Sequence, residues 1–175
     1  MIESIVTLLQ EPLVWIAALL VLIDVAVVWL LYKGAPFIPT KREGVEKILA
    51  LIDKHPNLKV ADIGSGDGRI LIALAKQGIE AHGFEINPVL VWWSRRNIRA
   101  LHLDDLAKTH WQDLWKADLS SFNVIIVFGV VYIMGRLEEK LQRELKPGSQ
   151  VISLGFQFPN WTLKEKRNGL YIYSK

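Results

Sequence analysis

The stretch Asp62-Ile63-Gly64-Ser65-Gly66-Asp67-Gly68 constrains the fold more than any other part of this 175-residue chain. It closes a short apolar run, Lys59–Ile63, and opens a helical pattern over 69–77 that Gly78 ends. Three glycines at alternate positions let the backbone take dihedrals closed to other residues and run close to a ligand. Strand, glycine loop and helix in that order begin an α/β unit, whose ligand sits beyond the carboxyl ends of the strands.

The rest of the chain keeps that alternation. Residues 79–86 read as a second strand, followed by Asn87 and Pro88 as N-cap and first position of a helix running to about Leu101. Residues 107–111 read as a third strand and 123–128 as a fourth, apolar enough to be buried on both faces. Ile133, Leu137, Leu141 and Leu145 recur at helical spacing before Lys146-Pro147-Gly148, and 149–154 form a fifth strand. Strands over 162–166 and 170–174 flank Asn168-Gly169, a hairpin turn. Upstream, Thr40 and Glu43 have the spacing of a capping box, with Val45, Ile48, Leu49 and Ile52 on one face of the helix that follows. The expected fold is α/β with a mainly parallel sheet and a C-terminal antiparallel hairpin.

Two cofactor classes use such a loop. Dinucleotides favour G-x-G-x-x-G, where a helix N-terminus meets a pyrophosphate. Here the spacing is G-x-G-x-G, with Asp62 two residues before the first glycine. A carboxylate there suits a sulfonium and an ammonium better than phosphates, which favours S-adenosylmethionine over a nicotinamide or flavin. Glu85, at the end of the second strand, is placed to accept from both ribose hydroxyls. Asp113, after the third strand, is a candidate acceptor for the adenine amino group; Trp111 and Trp115 beside it suit either adenine stacking or the core. Ser65, Gly68 and Asn87, in the same turns, complete the cofactor set with Asp62, Gly64, Gly66, Glu85 and Asp113.

The N-terminal part has a different character. Leu13 to Leu31 holds nineteen residues with one charge, Asp24. As a helix it is about 28 Å long, near the thickness of a bilayer's hydrocarbon core. No basic segment precedes it and no small-residue cleavage site follows, so an uncleaved transmembrane anchor is expected rather than a signal peptide. Lys33, Lys41, Arg42 and Lys47 follow the run and no Lys or Arg precedes it, which predicts a single-pass protein of the cytoplasmic membrane with its C-terminal domain in the cytoplasm. The division expected is an extracytoplasmic segment 1–12, an anchor 13–32, a Pro- and Gly-containing linker 33–39 and a catalytic domain 40–175. A formal charge of +3 favours anionic membrane lipid as a partner and is too weak to argue for nucleic acid. The chain has no cysteine, and its four histidines lack metal-ligand spacing, so no metal is expected.

Several segments together resemble a known family: Gly34-Ala35-Pro36-Phe37-Ile38-Pro39-Thr40 after the apolar run, the glycine loop to Arg69, Gly83-Phe84-Glu85-Ile86-Asn87-Pro88, Asp113-Leu114-Trp115, Phe128-Gly129-Val130, Leu137-Glu138-Glu139-Lys140-Leu141 and Phe158-Pro159-Asn160-Trp161. They resemble the membrane-anchored seven-β-strand protein-lysine methyltransferases that act on mitochondrial ATP synthase c-subunit and adenine nucleotide translocase, and their prokaryotic relatives. The resemblance implies a class I, Rossmann-like methyltransferase fold. It implies that Asp62, Gly64 and Gly66 line the methionine and ribose part of S-adenosylmethionine, with Glu85 at the ribose and Asp113 at the adenine. No mitochondrial presequence is evident, so a prokaryotic member is expected. There is little room for a helix between the fifth and sixth strands, which leaves the protein target unassigned.

Candidate substrate-side residues are Phe128 and Tyr132 after the fourth strand, and Phe158, Pro159 and Trp161; these aromatics suit a lysine's alkyl stem or a cation as well as they suit a core. No catalytic base is assigned. The segment after the fourth strand lacks the Asp/Asn/Ser-Pro-Pro-aromatic pattern of enzymes that methylate base amino groups, which disfavours a nucleic-acid partner. The function expected is methyl transfer to a lysine on a membrane or membrane-adjacent protein. The alternatives are a methyltransferase for a membrane-soluble quinone or lipid, and a non-catalytic cofactor-binding scaffold.

Overall fold

The computed structural model describes residues 12–33, 37–129 and 131–175, and the side chains of 26–33 are outside the description. The expected extracytoplasmic segment is therefore almost wholly outside the described residues, as are Gly34, Ala35 and Pro36 of the linker and Val130. The chain divides into two compact units, 1–36 and 37–175.

The first unit contributes one helix, α1 (Pro12–Lys33), 22 residues long. Its apolar residues surround the axis, and Leu13, Leu19, Leu22 and Val25 are exposed. The expected apolar span is thus helical, but its side chains are described only as far as Val25. Among the described residues, no helix is long and apolar enough to cross a membrane.

The second unit is a seven-stranded sheet ordered β3-β2-β1-β4-β5-β7-β6. The strands are β1 (Lys59–Ile63), β2 (Glu80–Glu85), β3 (Ala107–Trp111), β4 (Val124–Val127), β5 (Gln150–Leu154), β6 (Glu165–Arg167) and β7 (Leu170–Ser174). β1 pairs in parallel with β2 and β4, β2 with β3, and β4 with β5; β7 runs antiparallel to β5 and β6. The order reverses between β1 and β4, so the crevice for a ligand opens beyond Ile63 and Val127.

Helices α2 (Arg42–Leu49), α3 (Arg69–Ala75) and α4 (Pro88–Ala100) cover one face and α5 (Val131–Glu144) the other. Alternate residues of the central strands feed the two cores: Val60, Ile126 and Ile152 pack with Ile48, Leu71, Leu74 and Ile98, whereas Ala61, Ile125 and Val151 pack with Leu137, Leu141 and Tyr173. All four residues of β4 are buried, as its unbroken apolar run required.

Local signals hold at most junctions. Asn87 caps α4, accepting from the Val89 N–H at 3.0 Å, with Pro88 at the first position. Gly78 takes φ +78° after α3, and Asn168 and Gly169 take φ +52° and +82° in the hairpin turn. The capping box does not form. Lys41, not Thr40, is the N-cap of α2, no side chain caps it, and Glu43 instead pairs with Lys47 at 2.6 Å. Thr40 is held elsewhere: its carbonyl accepts from Arg69 Nη1 at 2.9 Å. On α5 the buried position is Met134, while Ile133 is only partly covered.

Candidate functional site

The carboxyl edge of β1 and β2 carries the site. Asp62 is 3% exposed at the end of β1. Burial, with the Glu85 and Asp67 carboxylates nearby, raises its pKa to about 7. Glu85 ends β2 in parallel register, and both of its oxygens are engaged: Oε2 accepts from the Gly66 N–H at 3.0 Å and Oε1 from the Asn87 N–H at 2.8 Å. One carboxylate therefore ties the glycine loop to the start of α4. The Gly64 N–H donates to the Phe84 carbonyl at 2.9 Å, which fixes the loop to β2.

The three glycines do different work, although all have positive φ. A Cβ on Gly64 would meet nothing within 4 Å, so the loop's outer face there is open. A Cβ on Gly66 would lie 2.5 Å from the Phe37 ring, and one on Gly68 would strike the Ser94 hydroxyl. Ser94 is buried and pairs with Thr109 Oγ1 at 2.6 Å, so Gly68 lets α3 approach α4 and β3. Ser65 is buried, its Oγ has no hydrogen-bond partner, and it faces the place where Gly83 lacks a side chain.

Phe37 is the residue that sequence reasoning passed over. Its place in the sequence is the linker, yet it belongs to the second unit and its ring lies against Gly66. Arg69 secures the same corner, bridging the Thr40 carbonyl and both oxygens of Asp67. The only signal was that the Phe-Ile-Pro-Thr segment was among those shared with a family; no spacing rule pointed to it.

Asp113 follows β3 and accepts from the Trp115 N–H at 3.0 Å, starting a 3₁₀ turn, Leu114–Lys116. Trp111 is not core: it is 66% exposed and its Nε1 donates to the Ile86 carbonyl at 3.0 Å. Trp115 is partly buried beneath the Arg136 guanidinium, 4.1 Å from the ring centre. Asp62, Gly64, Ser65, Gly66, Gly68, Glu85, Asn87 and Asp113 thus all fall at the ends of β1 to β3.

The substrate-side candidates separate. Phe128 and Tyr132 lie at the carboxyl edge of β4 and are 37% and 76% exposed. Phe158 and Trp161 are a correction. They are buried, packing on each other and on Tyr173 with ring centres 5.0–5.5 Å apart. The Phe158 N–H donates to the Tyr173 hydroxyl and Trp161 Nε1 to the Ser174 carbonyl. Because β7 is antiparallel, Ser174 pairs with Gln150 at the amino end of β5, so this segment is carried away from the cofactor edge. Pro159 is exposed, on the side of Gly135. Among the described residues no group of His, Asp and Glu is arranged to hold a metal ion. His82 and His110 are not isolated: their ring nitrogens lie 3.0 Å apart, and Glu80 approaches His82 at 2.9 Å.

The arrangement fits a nucleoside bearing positive charge. Two buried carboxylates flank an open glycine at the switch in strand order, and no basic side chain stands among the candidate residues to meet a pyrophosphate.

Residues 62–165 match the model of the ANTKMT methyltransferase domain. The human lysine N-methyltransferase of the ATP synthase c-subunit is 42% identical over 127 residues, 73% of this chain and 54% of that one. A protein-lysine N-methyltransferase of Saccharolobus islandicus strain REY15A is 32% identical over 132 residues, 74% of this chain and 82% of that one. The crystal structure of an RNA methyltransferase from Salinibacter ruber in complex with S-adenosyl-L-homocysteine is similar at a TM-score of 0.71 and 32% identity, covering 78% of this chain and 91% of that one. The chain spans about half the length of the mouse, rat and human ATP synthase enzymes it matches.

Proposed function

The chain belongs to the ANTKMT methyltransferase domain family, and from that premise we propose that it transfers a methyl group from S-adenosylmethionine to a lysine of a membrane or membrane-adjacent protein. The observation that carries the reading is the pair of buried carboxylates, Asp62 and Glu85, joined through the glycine loop. Two named lysine methyltransferases at 42% and 32% identity support the acceptor.

The cofactor supplies an electrophilic methyl on a sulfonium, with a neutral leaving group. What the chain must do is bind, orient and desolvate. Each oxygen of a carboxylate has two lone-pair directions. Glu85 spends one on Gly66 and one on Asn87, and keeps the others for the two ribose hydroxyls. Asp62 balances the positive end of the cofactor, and Asp113 receives the adenine amino group. A lysine nucleophile must lose its proton, and burial against Phe128 and Tyr132 lowers its pKa.

The membrane context rests on the apolar run from Leu13 to Leu31 and the basic residues after it. In this reading α1 is a single-pass anchor in the cytoplasmic membrane, and the catalytic unit lies on the cytoplasmic side. Tethering raises the effective concentration of membrane targets. Mass spectrometry of methyl-lysines in membranes from cells with and without the gene tests the reading. Loss of methylation at a defined lysine is expected, and identical methyl-lysine profiles would refute it.

A second reading, methyl transfer to RNA, is favoured by the Salinibacter ruber protein alone. Methyl-nucleoside analysis of the same cells separates the two.

A further inference from the structure

We propose that the carboxyl edge of the sheet is itself a membrane-docking surface, which seats the mouth of the cofactor cleft on the headgroup region of an anionic bilayer. The inference deepens the membrane reading above and rests on it.

Among the described residues of the second unit, the large apolar side chains left exposed gather at one edge. Phe37 and Ile38 lie there because Phe37 packs on Gly66, just beyond β1. Val89 and Trp92 are in the first two turns of α4, after β2, and are 64% and 62% exposed. Trp111 ends β3, and Val131 and Tyr132 open α5 after β4. Leu101, at the far end of α4, is the exception. Exposed apolar residues scattered singly need no explanation, but a set gathered around a cleft marks an interaction surface.

Charge identifies the occupant. Helix α4 carries Arg95, Arg96 and Arg99 and no acidic residue, and all three arginines are exposed. The Arg96 guanidinium lies 5.7 Å from the Trp92 ring centre. The carboxylates of this edge point inward: Asp62 and Glu85 are 3% and 8% exposed, and the Asp67 side chain 14%. Tryptophan and arginine outside, with carboxylates withdrawn, match the interface of an anionic bilayer. A membrane also explains why the apolar residues ring the cleft: a lysine emerging from the bilayer surface would meet the cofactor edge directly.

The chain has no cysteine, so single labels are clean. Val89→Cys places a fluorophore on the edge, and Ser121→Cys places one at an exposed site before β4, at the opposite edge. The full chain is reconstituted in vesicles of phosphatidylcholine and phosphatidylglycerol carrying a doxyl-labelled lipid. Emission from position 89 is expected to shift to the blue and to be quenched severalfold more than emission from position 121. Arg96→Gln and Arg99→Gln are each expected to weaken docking about fivefold in the anionic vesicles. A chain that floats with the vesicles but leaves position 89 as wet as position 121 overturns this inference alone, and assigns the edge to a protein partner. A chain that stays out of the vesicle fraction with position 89 wet overturns the anchor as well.

Discussion

The Gly66 N–H donates to Glu85 Oε2 at 3.0 Å, linking residues nineteen apart in the chain across the ends of β1 and β2. The carboxylate needed for the ribose is thus already oriented by the loop that must hold the rest of the cofactor. Preorganisation of this kind lowers the cost of binding.

Replacing Glu85 tests that relationship. Glu85→Ala removes an ionised acceptor from two hydroxyls and releases the loop. Cofactor affinity should fall on the order of a hundredfold or more. Calorimetry gives the affinity, and an unfolding transition that stays cooperative separates lost binding from lost fold.

Asp62 predicts a pH dependence. Its raised pKa, about 7, means that the free protein holds a proton there at pH 6. A cationic ligand favours the ionised form, so binding releases that proton. Cofactor affinity should rise about tenfold per pH unit up to roughly 7 and then level off. Asp62→Asn should flatten the profile. The same shift has the opposite sign for the free protein: the native state binds more protons between the ordinary carboxylate range and 7, so stability contributed by Asp62 is lost as pH rises through that window.

Gly66→Ala should cost about 2 kcal/mol, because its φ of +55° disfavours a side chain and its Cβ would lie 2.5 Å from the Phe37 ring. Phe37→Ala in the same chain should recover part of the loss in thermal unfolding, since it removes the collision but not the backbone strain.

Phe158 and Tyr132 should behave in opposite ways. Phe158→Ala empties a buried site and should lower stability by about 3–5 kcal/mol, with kcat/KM per folded molecule unchanged. Tyr132, 76% exposed at the cleft, should tolerate alanine with little change in melting temperature while kcat/KM falls. Unfolding curves and kinetics on both variants check the pair.

These contrasts show what the sequence could and could not convey. The strands were legible because their apolar runs are bounded by strong punctuation: Gly78, Asn87-Pro88, Pro147-Gly148 and Asn168-Gly169. The site was legible because Asp62, Gly64 and Glu85 sit at strand ends, where register alone brings them together. Phe158 and Trp161 were not, because an aromatic in a loop looks the same whether it faces a ligand or a core. Only the antiparallel insertion of β7 beside β5 decides which. Thr40 and Glu43 had correct capping-box spacing, but Arg69 from a distant helix takes the Thr40 carbonyl and Lys47 takes Glu43. Long-range partners of that sort leave no periodic trace.

The most direct measurement of the central claim follows the methyl group. The purified chain is incubated with membranes of its own host and S-adenosylmethionine carrying a labelled methyl. Label is expected in protein, recovered as methyl-lysine, and absent when Glu85→Ala replaces the wild-type chain. Label recovered instead in solvent-extractable lipid or in RNA, or none above the Glu85→Ala control, would contradict it.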